Sequence, residues 1–169
     1  AYKFAKQGAK LIVCWDLNQS GNDATVKSIK DNGGKAIGLT CNLADMDDTY
    51  RAVEETKKLL KKTLNDDKAY VSILVNNAGV VTGKTFLDCP DKLIKLTMDV
   101  NTTAHFWTIK GFLPDMIKYN KGHVCTIASG AGLSGMAGLM DYCASKFGAV
   151  GLSESLYFEM TKQGKNINI

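Results

Sequence analysis

The sequence predicts an α/β protein built on a doubly wound parallel sheet, and three observations carry that prediction. Short apolar runs alternate along the chain with longer stretches in which apolar residues recur at helical spacing. The short runs are rich in Val, Ile and Leu and are bounded by Gly, Asn or Asp, as buried strands are. Strand and helix in strict alternation put parallel strands side by side, with helices covering both faces.

The elements follow in order. "AYKFAKQGAK" at 1 to 10 reads as a helix feeding the first strand, "AKLIVCWD" at 9 to 16. A helix over 20 to 32 leads to a second strand, "GGKAIGLTCNL" at 33 to 43. The next helix spans 45 to 65; Asp47 and Asp48 near its start suit the positive end of a helix dipole. Within it "KKLLKK" at 57 to 62 reads as a solvated helix face, since two leucines interrupt the lysines and Asp66 and Asp67 follow. The third strand is "YVSILVNNAG" at 70 to 79, the next helix covers 90 to 119, and "KGHVCTIAS" at 121 to 129 is the fourth strand. A last helix runs from 140 to 163, and the chain stops at "NINI", where a further strand should begin. No repeat, low-complexity linker or composition break divides the sequence, which predicts one domain over 1 to 169.

Composition narrows the function classes. With 45% apolar and 22% charged residues and 2 Pro, the chain is an ordinary globular one. Its charge of +4 is spread over many lysines and one arginine, Arg51, so no basic patch for nucleic acid is expected. The five cysteines, Cys14, Cys41, Cys89, Cys125 and Cys143, are scattered without a C-x-x-C, which suits a reducing compartment. Two histidines, His105 and His123, and no cysteine cluster leave no metal-ligand set. No run reaches the roughly 18 apolar residues of a membrane span, and no charged-then-apolar leader opens the chain.

Ligands of such sheets sit beyond the carboxyl ends of the strands, so the polar residues there are the functional candidates. Asp16 ends the first strand of this chain; at the end of the second strand of a dinucleotide fold an acid accepts hydrogen bonds from the adenosine ribose hydroxyls and repels a phosphate placed there. Leu17 and Asn18 follow with no Arg to welcome that phosphate, which favours NAD over NADP; a helix or turn cap explains a lone Asp16 equally well. Asn42, at the end of the second strand, could bond an adenine edge or simply make a turn. In "NNAG", Asn76 and Asn77 can hold a turn, while Ala78 and Gly79 leave room for a ligand to approach backbone. Ser129 ends the fourth strand inside a loop of small residues, "IASGAGLSG". Two Tyr/Lys pairs stand four apart, Tyr142 with Lys146 and Tyr2 with Lys6, and on a helix each pair shares a face. From 6 Tyr and 20 Lys in 169 residues, chance alone supplies nearly one such pair, so spacing does not choose between them.

What chooses is a resemblance. "NNAG" at 76 to 79, "DVN" at 99 to 101, Ser129 and "YCASK" at 142 to 146, in that order, resemble the short-chain dehydrogenase/reductase family, as does the interval of 13 from Ser129 to Tyr142. Tyr142 has this setting and Tyr2 does not, so the front pair reads as a chance match. Within the family, "WD" at 15 to 16, "AHFWTIKGFLPDM" at 104 to 116 and "YCASKFGAVGLSESL" are similar to the 17β-hydroxysteroid and retinol dehydrogenases, which handle lipid alcohols.

The resemblance implies a Rossmann-type fold, NAD as cofactor with NADP less favoured, and a set of roles. A phenol is a poor base near neutral pH, so Tyr142 needs a cation, which Lys146 and the nicotinamide charge would supply. Tyr142 would take the substrate proton as hydride moves to the nicotinamide, and donate it in reverse. Ser129 would hold the substrate oxygen, Lys146 would also bind ribose, and Asn101 would hold through its backbone a water that relays the proton. Asp16, Asn42, Leu43, Asn77, Ala78 and Gly79 complete the cofactor site together with Tyr142 and Lys146. The "NTT" and "NQS" sequons carry little weight in a reduced domain. His105 is expected to pack in its helix. Phe147, Leu152 and Leu156 are read as core, and Met136 and Met140 as core or pocket wall.

The family's opening strand and Gly-rich turn should lie about 20 residues before Asp16, so the chain reads as an internal fragment lacking that strand and the C-terminal ones. The expected activity is hydride transfer between NAD and a hydrophobic alcohol or carbonyl, such as a steroid, a retinoid or a long-chain secondary alcohol. The alternative is a dinucleotide-binding scaffold or sensor without turnover; a sugar-nucleotide epimerase fits "NNAG" less well. A homo-oligomeric, cytosol-facing parent is implied, held to endoplasmic reticulum or lipid droplet membrane only through an anchor outside these residues.

Overall fold

A computed structural model describes all 169 residues, which form two compact units. The first comprises Ala1–Leu43 and Asp47–Tyr70, the second Ala44–Met46 and Val71–Ile169.

In the first unit a short α1 (Tyr2–Lys6) precedes β1 (Ile12–Asp16), α2 (Gln19–Asp31), β2 (Ala36–Thr40) and α3 (Met46–Leu64). The two strands pair in parallel, from Ile12 opposite Ala36 to Asp16 opposite Thr40. Asn18 starts α2 by accepting the Gly21 N–H at 3.0 Å, which satisfies one of the helix's free donors. Val26 and Ile29 from α2 then pack with Ala36, Ala5, Ile12 and Cys14. Burying a side chain such as Ile29 contributes about 2 kcal/mol. The buried Asn22 amide donates to both Cys14 O and Leu39 O at 3.1 Å, bridging the strands from the helix. Along α3, Ala52, Val53, Thr56 and Leu60 face inward and Lys58, Lys61 and Lys62 face solvent, the amphipathic pattern read from the sequence.

The second unit contains β3 (Ile73–Asn76), α4 (Asp91–Met98), a π-helical turn (Asp99–Thr103), α5 (Ala104–Tyr119), β4 (Gly122–Thr126), a 3₁₀ turn (Gly130–Gly132), α6 (Met140–Lys162) and β5 (Ile167–Asn168). The strands form a parallel sheet in the order β3-β4-β5. Its core gathers Leu74 and Val124 from the sheet with Ile109, Phe112 and Met116 from α5. Gly122 opens β4 because α5 crosses so closely that a Cβ there would lie 2.6 Å from the Met116 sulfur.

Four features differ from the sequence reading. The strands are shorter than the runs that announced them: β1 begins at Ile12, β3 at Ile73 and β4 ends at Thr126, while Asp16, Asn76 and Gly122 belong to the strands themselves. The helix read over 90 to 119 is interrupted by the π turn, one residue more per hydrogen-bonded ring than an α-helix. And β3 is not buried on both faces: Leu74 and Asn76 point inward while Ile73 and Val75 are exposed. Phe147 is also about half exposed rather than core, because α6 turns Cys143, Ser145, Lys146 and Ala149 inward and leaves Phe147 outside that stripe. No helix is long and apolar enough to cross a membrane.

Candidate active site

In the second unit the site is assembled around the loop that leaves β3. Asn76, buried at the strand's end, accepts a hydrogen bond from the Thr108 hydroxyl on α5 at 2.8 Å. Past Asn77 and Ala78, the backbone of Val80 is gripped from both sides by Asn101. The Asn101 Oδ1 accepts the Val80 N–H at 2.8 Å, and its Nδ2 donates to Val80 O at 2.9 Å. The same Nδ2 donates to the Ser145 hydroxyl at 3.0 Å, so one fully buried amide ties the loop, the π turn and α6 together.

Lys146 lies where these meet. Its side chain is 3% exposed, its ammonium donates to Ile127 O at 2.7 Å, and it stands 5.7 Å from the centre of the Tyr142 ring. A Cβ at Gly79 would lie 3.4 Å from Asn101 Oδ1 and 3.7 Å from the Lys146 ammonium, so glycine leaves the cation open to that side. An ammonium has three N–H donors. One is spent on Ile127, which leaves the others for a ligand hydroxyl at Gly79, and this fits the ribose of a dinucleotide. His105, buried on α5, has its pKa lowered to about 4, mainly by burial and further by the Lys146 charge, so it stays neutral near pH 7.

Tyr142 sits in the first turn of α6. Its carbonyl accepts from the Ser145 hydroxyl at 2.7 Å, and it directly follows Asp141 in the chain. Ser129 caps the 3₁₀ turn by accepting the Ala131 N–H at 3.2 Å. That turn presses on α6: a Cβ at Gly132 would meet Lys146 O at 2.8 Å and the Val150 side chain at 3.0 Å. Asn77, Ala78, Gly79, Asn101, Ser129, Tyr142 and Lys146 thus all belong to the second unit. Met140 lies in the wall of a small cavity there, beside Phe86 and Met98.

Asp16, Asn42 and Leu43 lie in the first unit, at the neighbouring ends of β1 and β2. One Asp16 oxygen accepts the Asn18 N–H at 2.8 Å, so the residue does cap a turn, and its side chain remains exposed. The Asn42 N–H donates to Asp48 at 2.7 Å, and Arg51 bonds both Asp48 and Thr40 O at 2.7 Å. The Asn42 N–H bond, foremost, and the Arg51 guanidinium hold the Asp48 carboxyl below its usual range. Tyr2 and Lys6 line a separate cleft of the first unit with Asn32, Gly33 and Gly34.

Sequence reasoning missed Asp141, Thr82, Thr97 and Ser145. Asp141 directly precedes Tyr142 and reads as an ordinary helix-start acid, and the threonines are remote from it in sequence. No spacing rule joins them.

A parallel α/β architecture with a buried lysine one turn from a tyrosine, beneath a glycine-bearing strand end, defines a dinucleotide-type α/β protein. More narrowly, the chain matches the short chain dehydrogenase family over residues 1–169 and belongs to it. It is 46% identical over 160 residues to the human (Homo sapiens) epidermal retinol dehydrogenase 2, covering 94% of this chain and 49% of the relative. It is 42% identical over 185 residues to the rat (Rattus norvegicus) retinol dehydrogenase 10, covering 98% of this chain and 53% of that protein. The chain therefore spans about half the length of these relatives. Among solved structures it resembles an actinorhodin polyketide ketoreductase with NADPH (TM-score 0.89, 26% identity, 100% of this chain and 61% of that one). It also resembles a metagenomic short-chain oxidoreductase in complex with NADP (TM-score 0.86, 26% identity, 99% and 70%).

Proposed function

We propose that these residues are the core of a single dinucleotide-binding domain of a dehydrogenase that moves hydride between NAD and a hydrophobic alcohol or carbonyl of the retinoid or steroid kind. The observation that carries the reading is the buried Lys146 ammonium, 5.7 Å from the Tyr142 ring and open toward Gly79. The buried ammonium stands one turn from the Tyr142 phenol, the group placed to exchange the alcohol proton. Bound NAD supplies the hydride acceptor. Tyr142 takes the proton of the alcohol and returns it in the reverse direction, while Ser129 hydrogen-bonds the substrate oxygen. Lys146 holds the ribose hydroxyls, and Asn101 keeps the Gly79–Val80 backbone in place beside it. Asn77, Ala78 and Gly79 would contribute to holding the cofactor in the second unit, and Asp16, Asn42 and Leu43 would bind its adenosine half.

The exposed carboxylate of Asp16 supports NAD, since it repels a ribose phosphate. Two of the structural neighbours carry NADP or NADPH, so both cofactors belong in the test. The retinol dehydrogenase names of the relatives support a lipid alcohol.

One set of assays on the full-length protein tests the reading: alcohol oxidation with NAD and with NADP, over retinoid, steroid, long-chain and polyol substrates, for wild type and Tyr142→Phe. The expected outcome is NAD-preferring turnover of apolar alcohols that Tyr142→Phe abolishes while NAD still binds. Retention of more than roughly a tenth of the activity in that variant would remove Tyr142 from the chemistry. Best turnover of polyols would overturn the substrate class.

A further inference from the structure

We infer that Asp141 is a positioning residue that sets Tyr142, acting through a carboxylate clamp to Thr82 and Thr97; the inference rests on the catalytic role proposed above for Tyr142. Asp141 Oδ2 accepts hydrogen bonds from two threonine hydroxyls, Thr82 at 2.8 Å and Thr97 at 2.9 Å. Thr82 belongs to the loop after Val80, and the fully buried Thr97 to the last turn of α4. The residue that bears this carboxylate directly precedes Tyr142 in the first turn of α6. One buried acid thus joins three segments at the residue that precedes the tyrosine.

The chemistry of the clamp is specific to an anion. Asp141 is 8% exposed and lies at a cavity of about 210 Å³ whose walls include Phe86, Ile94, Met98 and Met140. Burial there would raise a carboxyl, yet the two hydroxyls and the Tyr142 and Asp141 amides outweigh it and hold Asp141 below its usual range, so the ionised form is kept. Charge-assisted bonds in such surroundings are short and strong, and they fix orientation. Ser145 bonds the carbonyl of the next residue, Tyr142, at 2.7 Å. Rotation of this first helical turn is therefore opposed by the loop and by α4, and a small misplacement of a reacting group is known to slow chemistry strongly.

The test compares Asp141→Asn, Thr82→Val, Thr97→Val and the serine variants Thr82→Ser and Thr97→Ser with wild type and Tyr142→Phe in the full-length protein. Turnover, KM for the alcohol, NAD affinity and melting temperature are read for each. The expected result is a fall of about tenfold or more in kcat for Asp141→Asn and both valine variants, with NAD affinity within about twofold, and recovery of most of kcat in the serine variants. Should Asp141→Asn fail to accumulate, Thr82→Val, a loop substitution, carries the same expectation. Unchanged kcat in Asp141→Asn or Thr82→Val overturns the inference. So does a kcat loss matched by lost NAD affinity, or serine variants as slow as the valine ones. An inactive Tyr142→Phe beside a normal Asp141→Asn overturns the positioning alone, whereas an active Tyr142→Phe overturns both readings.

Discussion

His105 shows how much a single buried group can impose on the whole. An imidazole in an unfolded chain titrates near pH 6.5, whereas burial, aided by the Lys146 charge, lowers His105 to about 4. Between those values the unfolded chain binds a proton that the folded state refuses. Stability present above about pH 6.5 is therefore lost as pH falls toward 4, by about 1.4 kcal/mol per pH unit and about 3 kcal/mol in all. Replacing the group by His105→Gln should flatten the fall. Urea midpoints of the full-length protein at pH 7 and pH 4.5 check this, and equal slopes for wild type and variant would show that His105 does not carry the effect. At this scale the sequence was informative where a residue ends an apolar run, as Asp16 and Ser129 do, or stands in a motif, as Tyr142 and Lys146 do. It was silent on the Asn101 side chain, which closes on Val80 21 residues away, and on Asp141, because no periodicity records the direction of a buried hydrogen bond.

Among the elements, α6 does the most to build the candidate site, and it does so by close approach. Gly148 faces the Thr102 side chain, where a Cβ would come within 2.8 Å, and the Thr102 hydroxyl donates to Ser145 O at 2.7 Å. On the other side Gly132 lets the turn that follows Ser129 rest on the Lys146 carbonyl. A methyl at Gly132 would press on a backbone atom that cannot rotate away, so Gly132→Ala should lift the Ser129 turn from α6. The expected outcome is a loss of about 1–3 kcal/mol in stability with a fall in kcat larger than the change in NAD affinity. Melting curves and steady-state kinetics decide it, and a variant as stable and active as wild type would mean that the turn has room to give. The elements themselves were largely legible, since apolar spacing marked all four long helical stretches and four strands. The π turn was not, because it widens a single turn and has no residue type of its own. Nor was the exposure of Phe147, which depends on how α6 is rotated against its neighbours.

For the molecule as a whole, the pairing of its strands is the decisive fact. β1 pairs with β2 alone, and β3 pairs with β4 alone, so each unit presents a strand with an unpaired row of backbone N–H and C=O groups. A two-stranded sheet is marginal by itself, and even with α2 packed on it the first unit has a small core. Such an edge is also a template for pairing with another strand or another molecule. In a doubly wound sheet every inner strand has a neighbour on each side, so the unpaired edges of β1 and β3 each call for a further strand. The curated relatives, about twice as long as this chain, have the length to supply one. The 169 residues on their own should therefore neither melt in one cooperative transition nor bind NAD tightly, although Ser129, Tyr142 and Lys146 are all present. The dinucleotide would also lack the cradle of backbone amides that a helix N-terminus offers to pyrophosphate. Circular dichroism melting and an NADH fluorescence titration of the 169-residue chain test this together. A single sharp melt with about micromolar binding would show that the two sheets need no further strand to hold the fold and its cofactor.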